Sequence, residues 1–136
     1  MKKRNGFTLI EIMLVVTIIG ILAAVVLPRL VGRGEEARKS AAKLQIENLS
    51  LALDTFELDN GRYPATDEGL SALKTAPANA KNWKGPYMKK DISNDPWGRP
   101  YIYRCPGTHS KDYDLLSMGP DGAEGGEDDI TNWQNQ

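Results

Sequence analysis

At 136 residues the chain has room for one modest domain, and its single cysteine, Cys105, excludes an intrachain disulfide, so stability must come from packing, an ion or assembly. The net charge of −1 hides an uneven distribution: setting aside Lys2, Lys3 and Arg4 leaves 14 of the 17 basic residues against 18 acids, a net of −4. A weakly acidic remainder has no basic face for phosphates, which argues against nucleic acid as a partner.

The first element is a hydrophobic run. Residues 7–27 are 21 positions with one charged side chain, Glu11, and a stretch of roughly 20 apolar residues is what a helix needs to cross a bilayer. A cleaved secretory signal would have a shorter apolar core followed by a small-residue cleavage site; here Pro28, Arg29 and Gly32 follow instead, so the segment is expected to stay attached. Lys2, Lys3 and Arg4 place the N-terminus in the cytoplasm and send the rest of the chain across the membrane. Glu11 costs on the order of 2–3 kcal/mol in an apolar helix. Taken alone, it is either a tolerated charge near the interface or a carboxylate awaiting a positive partner.

Past the membrane segment, Ala42, Ile46, Leu49, Leu53 and Phe56 recur at intervals of four and three, which predicts one amphipathic helix ending near Gly61. Pro28 is expected to interrupt the helix, with Gly32 and Gly34 weakening the following turns. Beyond Gly61 the period disappears. Residues 67–74 read as a short helix, 85–87 and 95–98 as turns, and 101–104 and 112–117 as strands joined through Pro106-Gly107. So few strands need another surface to pack on, and the helical stripe provides it. Trp83, Trp97 and Trp133 are expected to seal this core. His109, the only histidine, falls in a surface turn, and no nucleophile elbow or phosphate loop is present.

The tail from Gly119 to Trp133 carries five acids and no base. It is either a solvated acidic loop or a site for Ca²⁺, which takes six to eight oxygens; its spacing does not match an EF-hand.

Two sets of residues carry a family resemblance. Gly6-Phe7-Thr8-Leu9-Ile10-Glu11 behind a short basic leader resembles the class III signal of type IV pilins and pseudopilins. Gly85-Pro86-Tyr87, Asp95-Pro96-Trp97-Gly98-Arg99-Pro100-Tyr101, Asp114-Leu115-Leu116-Ser117, Gly119-Pro120-Asp121-Gly122 and Asp128-Asp129-Ile130-Thr131-Asn132-Trp133 resemble the major pseudopilins of type II secretion systems. The resemblance runs from Lys2 to Trp133. It implies an α+β, type IV pilin-like fold: a long N-terminal helix, membrane-spanning and then amphipathic, packed on a small antiparallel sheet with a C-terminal calcium-binding loop. The implied division is a leader over 1–6, a transmembrane and polymerisation helix over 7–30, an amphipathic helix over 31–60 and a globular region over 61–136 with its calcium loop at 117–129.

Further implications concern processing and partners. Prepilin peptidase would cleave between Gly6 and Phe7 and Phe7 would be N-methylated, so that Glu11 of one subunit pairs with the Phe7 amine of a neighbour. Asp121, Asp128 and Asp129 would be carboxylate ligands of Ca²⁺, with backbone oxygens of Met118 and Ser117. The chain would be a non-enzymatic inner-membrane subunit that polymerises into a periplasmic filament with minor pseudopilins and the secretion assembly platform, and drives folded proteins through an outer-membrane secretin. A major type IV pilin for adhesion, motility or DNA uptake is the alternative, opposed by the missing second cysteine.

Overall fold

The computed structural model describes residues 6–133, the side chains of 29–31 aside; the leader cations Lys2, Lys3 and Arg4 lie outside the described residues. The elements run in the order helix α1 (Leu9–Asn60), a 3₁₀ turn (Leu70–Leu73), and strands β1 (Ile102–Arg104), β2 (Asp114–Ser117) and β3 (Ile130–Thr131). The chain divides into two compact units, one up to Ala37 and one from Arg38 onward.

In the first unit, α1 opens with a capping box. The Glu11 amide donates to the Thr8 hydroxyl at 3.3 Å, and the Glu11 carboxylate accepts from the Thr8 amide at 2.7 Å and its hydroxyl at 2.8 Å. Thr8 and Glu11 thus satisfy one another's polar groups at a helix end whose first amides have no intrahelical acceptor. The apolar side chains that follow are exposed all around the helix, the pattern of a segment whose solvent is lipid. Thr17 donates its hydroxyl to the Met13 carbonyl at 2.7 Å, so this polar residue carries its own partner. The interruption expected at Pro28 does not occur: Pro28 lies inside the helix. A proline removes one backbone bond and crowds the preceding turn, a cost of about 3 kcal/mol, and the helix runs on through it.

The second unit is built on the C-terminal half of α1. Ala42, Ile46, Leu49, Leu53 and Phe56 are buried as the spacing predicts, and Ala52 joins them. Phe56 meets Tyr87 edge-on, with ring centroids 5.6 Å apart. The helix stops at Gly61, whose φ of 72° is the left-handed conformation glycine accepts, and whose amide still donates to the Glu57 carbonyl at 2.7 Å. Arg62 then grips Glu68 through two bonds of 2.6 and 2.8 Å. The helix expected over 67–74 shrinks to the 3₁₀ turn, because Gly69 enters it at φ 59°, ψ −166°, outside helical space.

The sheet is antiparallel in the order β1–β2–β3, with Tyr103 opposite Leu115 and Ser117 opposite Ile130. Alternation along β2 sends Leu115 into the core with Tyr113 before it, while Asp114 and Leu116 face the other way; all four residues of β2 are buried. The third strand was not expected, since two residues inside an acidic stretch give no alternating pattern. Asn132 extends its pairing: its amide donates to the Leu115 carbonyl at 3.0 Å and its side-chain oxygen accepts from the Leu115 amide at 2.8 Å.

Tyrosines, more than tryptophans, close the core. Tyr101, Tyr103 and Tyr113 are members of the buried cluster, with Tyr63 and Tyr87 packed against it. Trp83 does seal an edge, donating its indole N–H to the Ala72 carbonyl at 2.9 Å. Trp97 stays outside the cluster in the 95–99 turn, and Trp133 lies flat against His109 with ring centroids 4.5 Å apart. Both belong to the loops around the sheet.

Candidate assembly and ion-binding sites

Two places in the chain put carboxylates where they need explaining. The first is Glu11. Both of the bonds it accepts fall on one oxygen, Oε2; Oε1 takes none among the described residues. Phe7 and Gly6 precede the helix and are exposed. The arrangement is an exposed apolar helix whose one acid sits at its very start, with an oxygen to spare for a cation.

The second is the loop from Ser117 to Asp129. Its frame comes from three neighbours. Asp95 is buried and closes its own turn, accepting from the amides of Trp97 at 3.0 Å and Arg99 at 2.8 Å, while its other oxygen takes the Ser117 hydroxyl at 2.6 Å. Arg99, at the end of that turn, donates to the Gly119 carbonyl at 2.9 Å. Its guanidinium lies against Gly122, where any Cβ would collide with it, and Gly122 also has a φ of 72°. On the far side, Arg104 of β1 grips both oxygens of Glu124, the second bond at 2.7 Å.

Inside this frame the acids partly converge. Asp128 accepts from the Asp121 amide at 3.3 Å, Asp121 accepts from the Ala123 amide at 2.9 Å, and Asp129 accepts from the Gly125 amide at 2.7 Å. A Cβ on Gly126 would lie 2.5 Å from Asp128 Oδ1 and 3.3 Å from Asp121 Oδ2, so this glycine makes room for both carboxylates. Asp129 is 9 % exposed, and its Oδ1 is buried with no hydrogen-bond partner among the described residues. An unsatisfied buried carboxylate oxygen costs on the order of 1–3 kcal/mol or more, so it is the kind of atom a cation would satisfy.

The donors suit Ca²⁺ in kind, being hard oxygens in a glycine-rich loop. Among the described residues, however, no three acidic, histidine or cysteine side chains stand close enough to form a metal cluster. A cation would therefore have to draw Asp121 and Asp128 toward Asp129. Ser117 has its hydroxyl committed to Asp95, and what it and Met118 could add is a main-chain oxygen.

Beside the loop, Asp114 is fully buried and collects the amides of Thr108 (2.8 Å), His109 (3.0 Å) and Ser110 (2.8 Å), the Thr108 hydroxyl (2.8 Å) and His109 Nδ1 (3.0 Å). Burial alone pushes its carboxyl up, but the donated amides and hydroxyl outweigh this and hold it well below the usual carboxylate range. His109 is thus fixed between Asp114 and Trp133 as part of the scaffold. The composition of the tail pointed to its acids but not to Asp95, Arg99, Asp114 or Asn132, whose partners are 17 to 22 residues away or across a turn; the Asp95-Pro96-Trp97-Gly98 turn was the one legible sign.

A long apolar helix that continues into a short antiparallel sheet, with an acid at its start, defines the pilin-like class of filament subunit. The family model described as type II secretion system (T2SS), protein G matches residues 29–133, and the prokaryotic N-terminal methylation motif matches residues 1–27. The type II secretion system core protein G of Pseudomonas aeruginosa is 49 % identical, covering 98 % of each chain, and that of Escherichia coli K12 is 49 % identical over 96 % of this chain and 92 % of its own. The crystal structure of the major pseudopilin from the type 2 secretion system of enterohaemorrhagic Escherichia coli superposes with a TM-score of 0.68 at 38 % identity, covering 79 % of this chain and 96 % of that one. The chain belongs to the type II secretion system protein G family. It is a pseudopilus subunit of type II secretion, with the long N-terminal helix and small antiparallel sheet that the resemblance implied.

Proposed function

We propose that the chain is synthesised with the leader Met1–Gly6, held in the inner membrane by residues 7–30 with the N-terminus cytoplasmic, and cleaved between Gly6 and Phe7 by a prepilin peptidase. Residues 31–60 then form the amphipathic spine of a periplasmic domain over 61–136. Cleavage creates an α-amine on Phe7, which is then methylated, four residues from Glu11. In the filament Glu11 pairs with the Phe7 amine of a neighbouring copy, offsetting a carboxylate that lipid disfavours and setting the stagger between subunits. The role is structural and not enzymatic: growth of the homopolymer, with minor pseudopilins and the assembly platform, drives folded proteins through the outer-membrane secretin. Asp121, Asp128 and Asp129, with main-chain oxygens of Ser117 and Met118, hold Ca²⁺ and brace the domain; the ion would supply charge neutralisation among these acids.

The observation that carries the assembly reading is Glu11 at the start of the exposed apolar segment of α1 that runs to Leu27, with Oε2 engaged by Thr8 and Oε1 taking no bond among the described residues. Glu11→Ala is expected to insert into the membrane normally and to yield no filament in cells carrying the secretion machinery. Filaments at the wild-type level from Glu11→Ala would remove the pairing from the account.

A further inference from the structure

Arg104 and Glu124 meet across 20 residues of chain. Arg104 stands in β1 and grips both oxygens of Glu124, the second bond at 2.7 Å. Both side chains are more than a third exposed, so the pair adds little to the stability of the fold. Its place in the acidic loop is more telling. Three of the six residues from 122 to 127 are glycine, which leaves that stretch of chain loose by itself. Among the described residues, Glu124 is the only side chain of those six that bonds outside the loop.

The anchor fixes the residue that follows it. Gly125 donates its amide to Asp129 Oδ2 at 2.7 Å. Asp129 immediately precedes β3, so its main chain is held by the pairing of Ile130 with Ser117. Its carboxylate is not held that way. The last torsion of an aspartate is broad, and the group turns unless a bond fixes it. The Gly125 amide supplies that bond, engaging Oδ2 and leaving Oδ1 buried without a hydrogen-bond partner among the described residues. A line of direct contacts therefore runs from the Arg104 guanidinium through Glu124 and the Gly125 amide to the buried oxygen that a cation would satisfy.

We propose that Arg104 is a positioning residue for the Ca²⁺ site: without touching the ion, it anchors Glu124 and so holds the Gly125 amide where Asp129 must present Oδ1 to the cation. The proposal rests on the calcium reading of the loop and adds to it a residue of β1 that is not a ligand. Charge alone predicts the opposite effect. The pair is neutral in sum, and removing Arg104 leaves the loop one charge more negative, which attracts a divalent cation more strongly. Positioning predicts weaker binding, because partners that orient a metal's ligands typically carry about 10- to 100-fold in affinity. The sign of the change separates the two.

The test is a Ca²⁺ titration of the full chain in detergent, read by calorimetry, with the melting temperature in chelator as the control for folding. Arg104→Ala is expected to melt within about 2 °C of the wild type in chelator, because the pair is exposed, yet to bind Ca²⁺ about tenfold more weakly. The charge swap Arg104→Glu with Glu124→Arg keeps the net charge and restores the anchor. It is expected to recover affinity to within about threefold of the wild type, where Arg104→Glu alone does not. Binding by Arg104→Ala as tight as the wild type or tighter, a larger fall in its melting temperature in chelator, or a swap that binds no better than Arg104→Glu overturns the positioning role and leaves the calcium reading intact. A wild-type chain that takes up no Ca²⁺ overturns the calcium reading, and the positioning role with it.

Discussion

Ser117 donates its hydroxyl to the buried carboxylate of Asp95 at 2.6 Å, joining the last residue of β2 to the turn that carries Arg99. The acidic loop starts at that junction, so its shape is set by residues 20 positions upstream in the chain.

Removing either partner leaves the other buried without its bond. Asp95→Ala also strands the amides of Trp97 and Arg99, and is expected to cost about 3 kcal/mol or more; Ser117→Ala is expected to cost about 1–2 kcal/mol. Denaturant melts of the detergent-solubilised chain check both values. The double variant is expected to lose less than the sum, because the two changes remove one shared bond.

Asp114 makes stability depend on acid. Its carboxyl is held well below the usual range in the folded chain, whereas an unfolded aspartate titrates near about 3.9. Its contribution is therefore complete above that unfolded value and is lost as pH falls below it toward the lower folded value. Asp114→Asn keeps the volume but not the charge; it is expected to lower stability by about 1–3 kcal/mol at neutral pH and to flatten the decline between about pH 4 and pH 2. An unchanged acid profile in Asp114→Asn would show that the other carboxylates dominate the transition.

Gly122 and Arg99 occupy adjoining space. Gly122→Ala combines a positive φ with a collision against the guanidinium, and is expected to lower the melting temperature by about 5–15 °C, corresponding to about 1–2 kcal/mol or more. Coupling it to Arg99→Ala relieves the collision, so the pair is expected to recover part of that loss, measured by circular dichroism.

Much of this fold was legible from the chain, for physical reasons that also mark the limits. Ala42, Ile46, Leu49, Leu53 and Phe56 declared the spine because a helix buried on one side must repeat its apolar residues near every 3.6 positions. Pro28 misled, since its local cost is real but the helix continues through it. Thr8 and Glu11 show the capping-box spacing openly, although the same glutamate read against its apolar surroundings points first to the membrane. Ile130-Thr131 is too short to show alternation, and Asn132 pairs with β2 through a side chain that no periodicity reports. In the acidic loop, composition marked a cluster of acids, and the family resemblance singled out Asp121, Asp128 and Asp129 among them. The frame that Asp95, Arg99 and Arg104 build around them depends on contacts across 20 residues or more, which spacing does not encode.

Calcium gives a separate test of that loop. An ion bound only by the folded chain stabilises it by mass action, about 2.7 kcal/mol at a hundredfold excess over its dissociation constant. Chelation is expected to lower the wild-type melting temperature, and Asp129→Asn to abolish the response by changing the acid whose buried Oδ1 has no other partner among the described residues. An identical melting temperature with calcium and with chelator would show that this loop stands without the ion.

The most direct measurement is an intact-mass spectrum of subunits taken from sheared filaments. The expected mass is that of a chain beginning at Phe7 and carrying one added methyl group. A subunit that still holds Met1 to Gly6 would contradict assembly through a newly exposed Phe7 amine paired with Glu11.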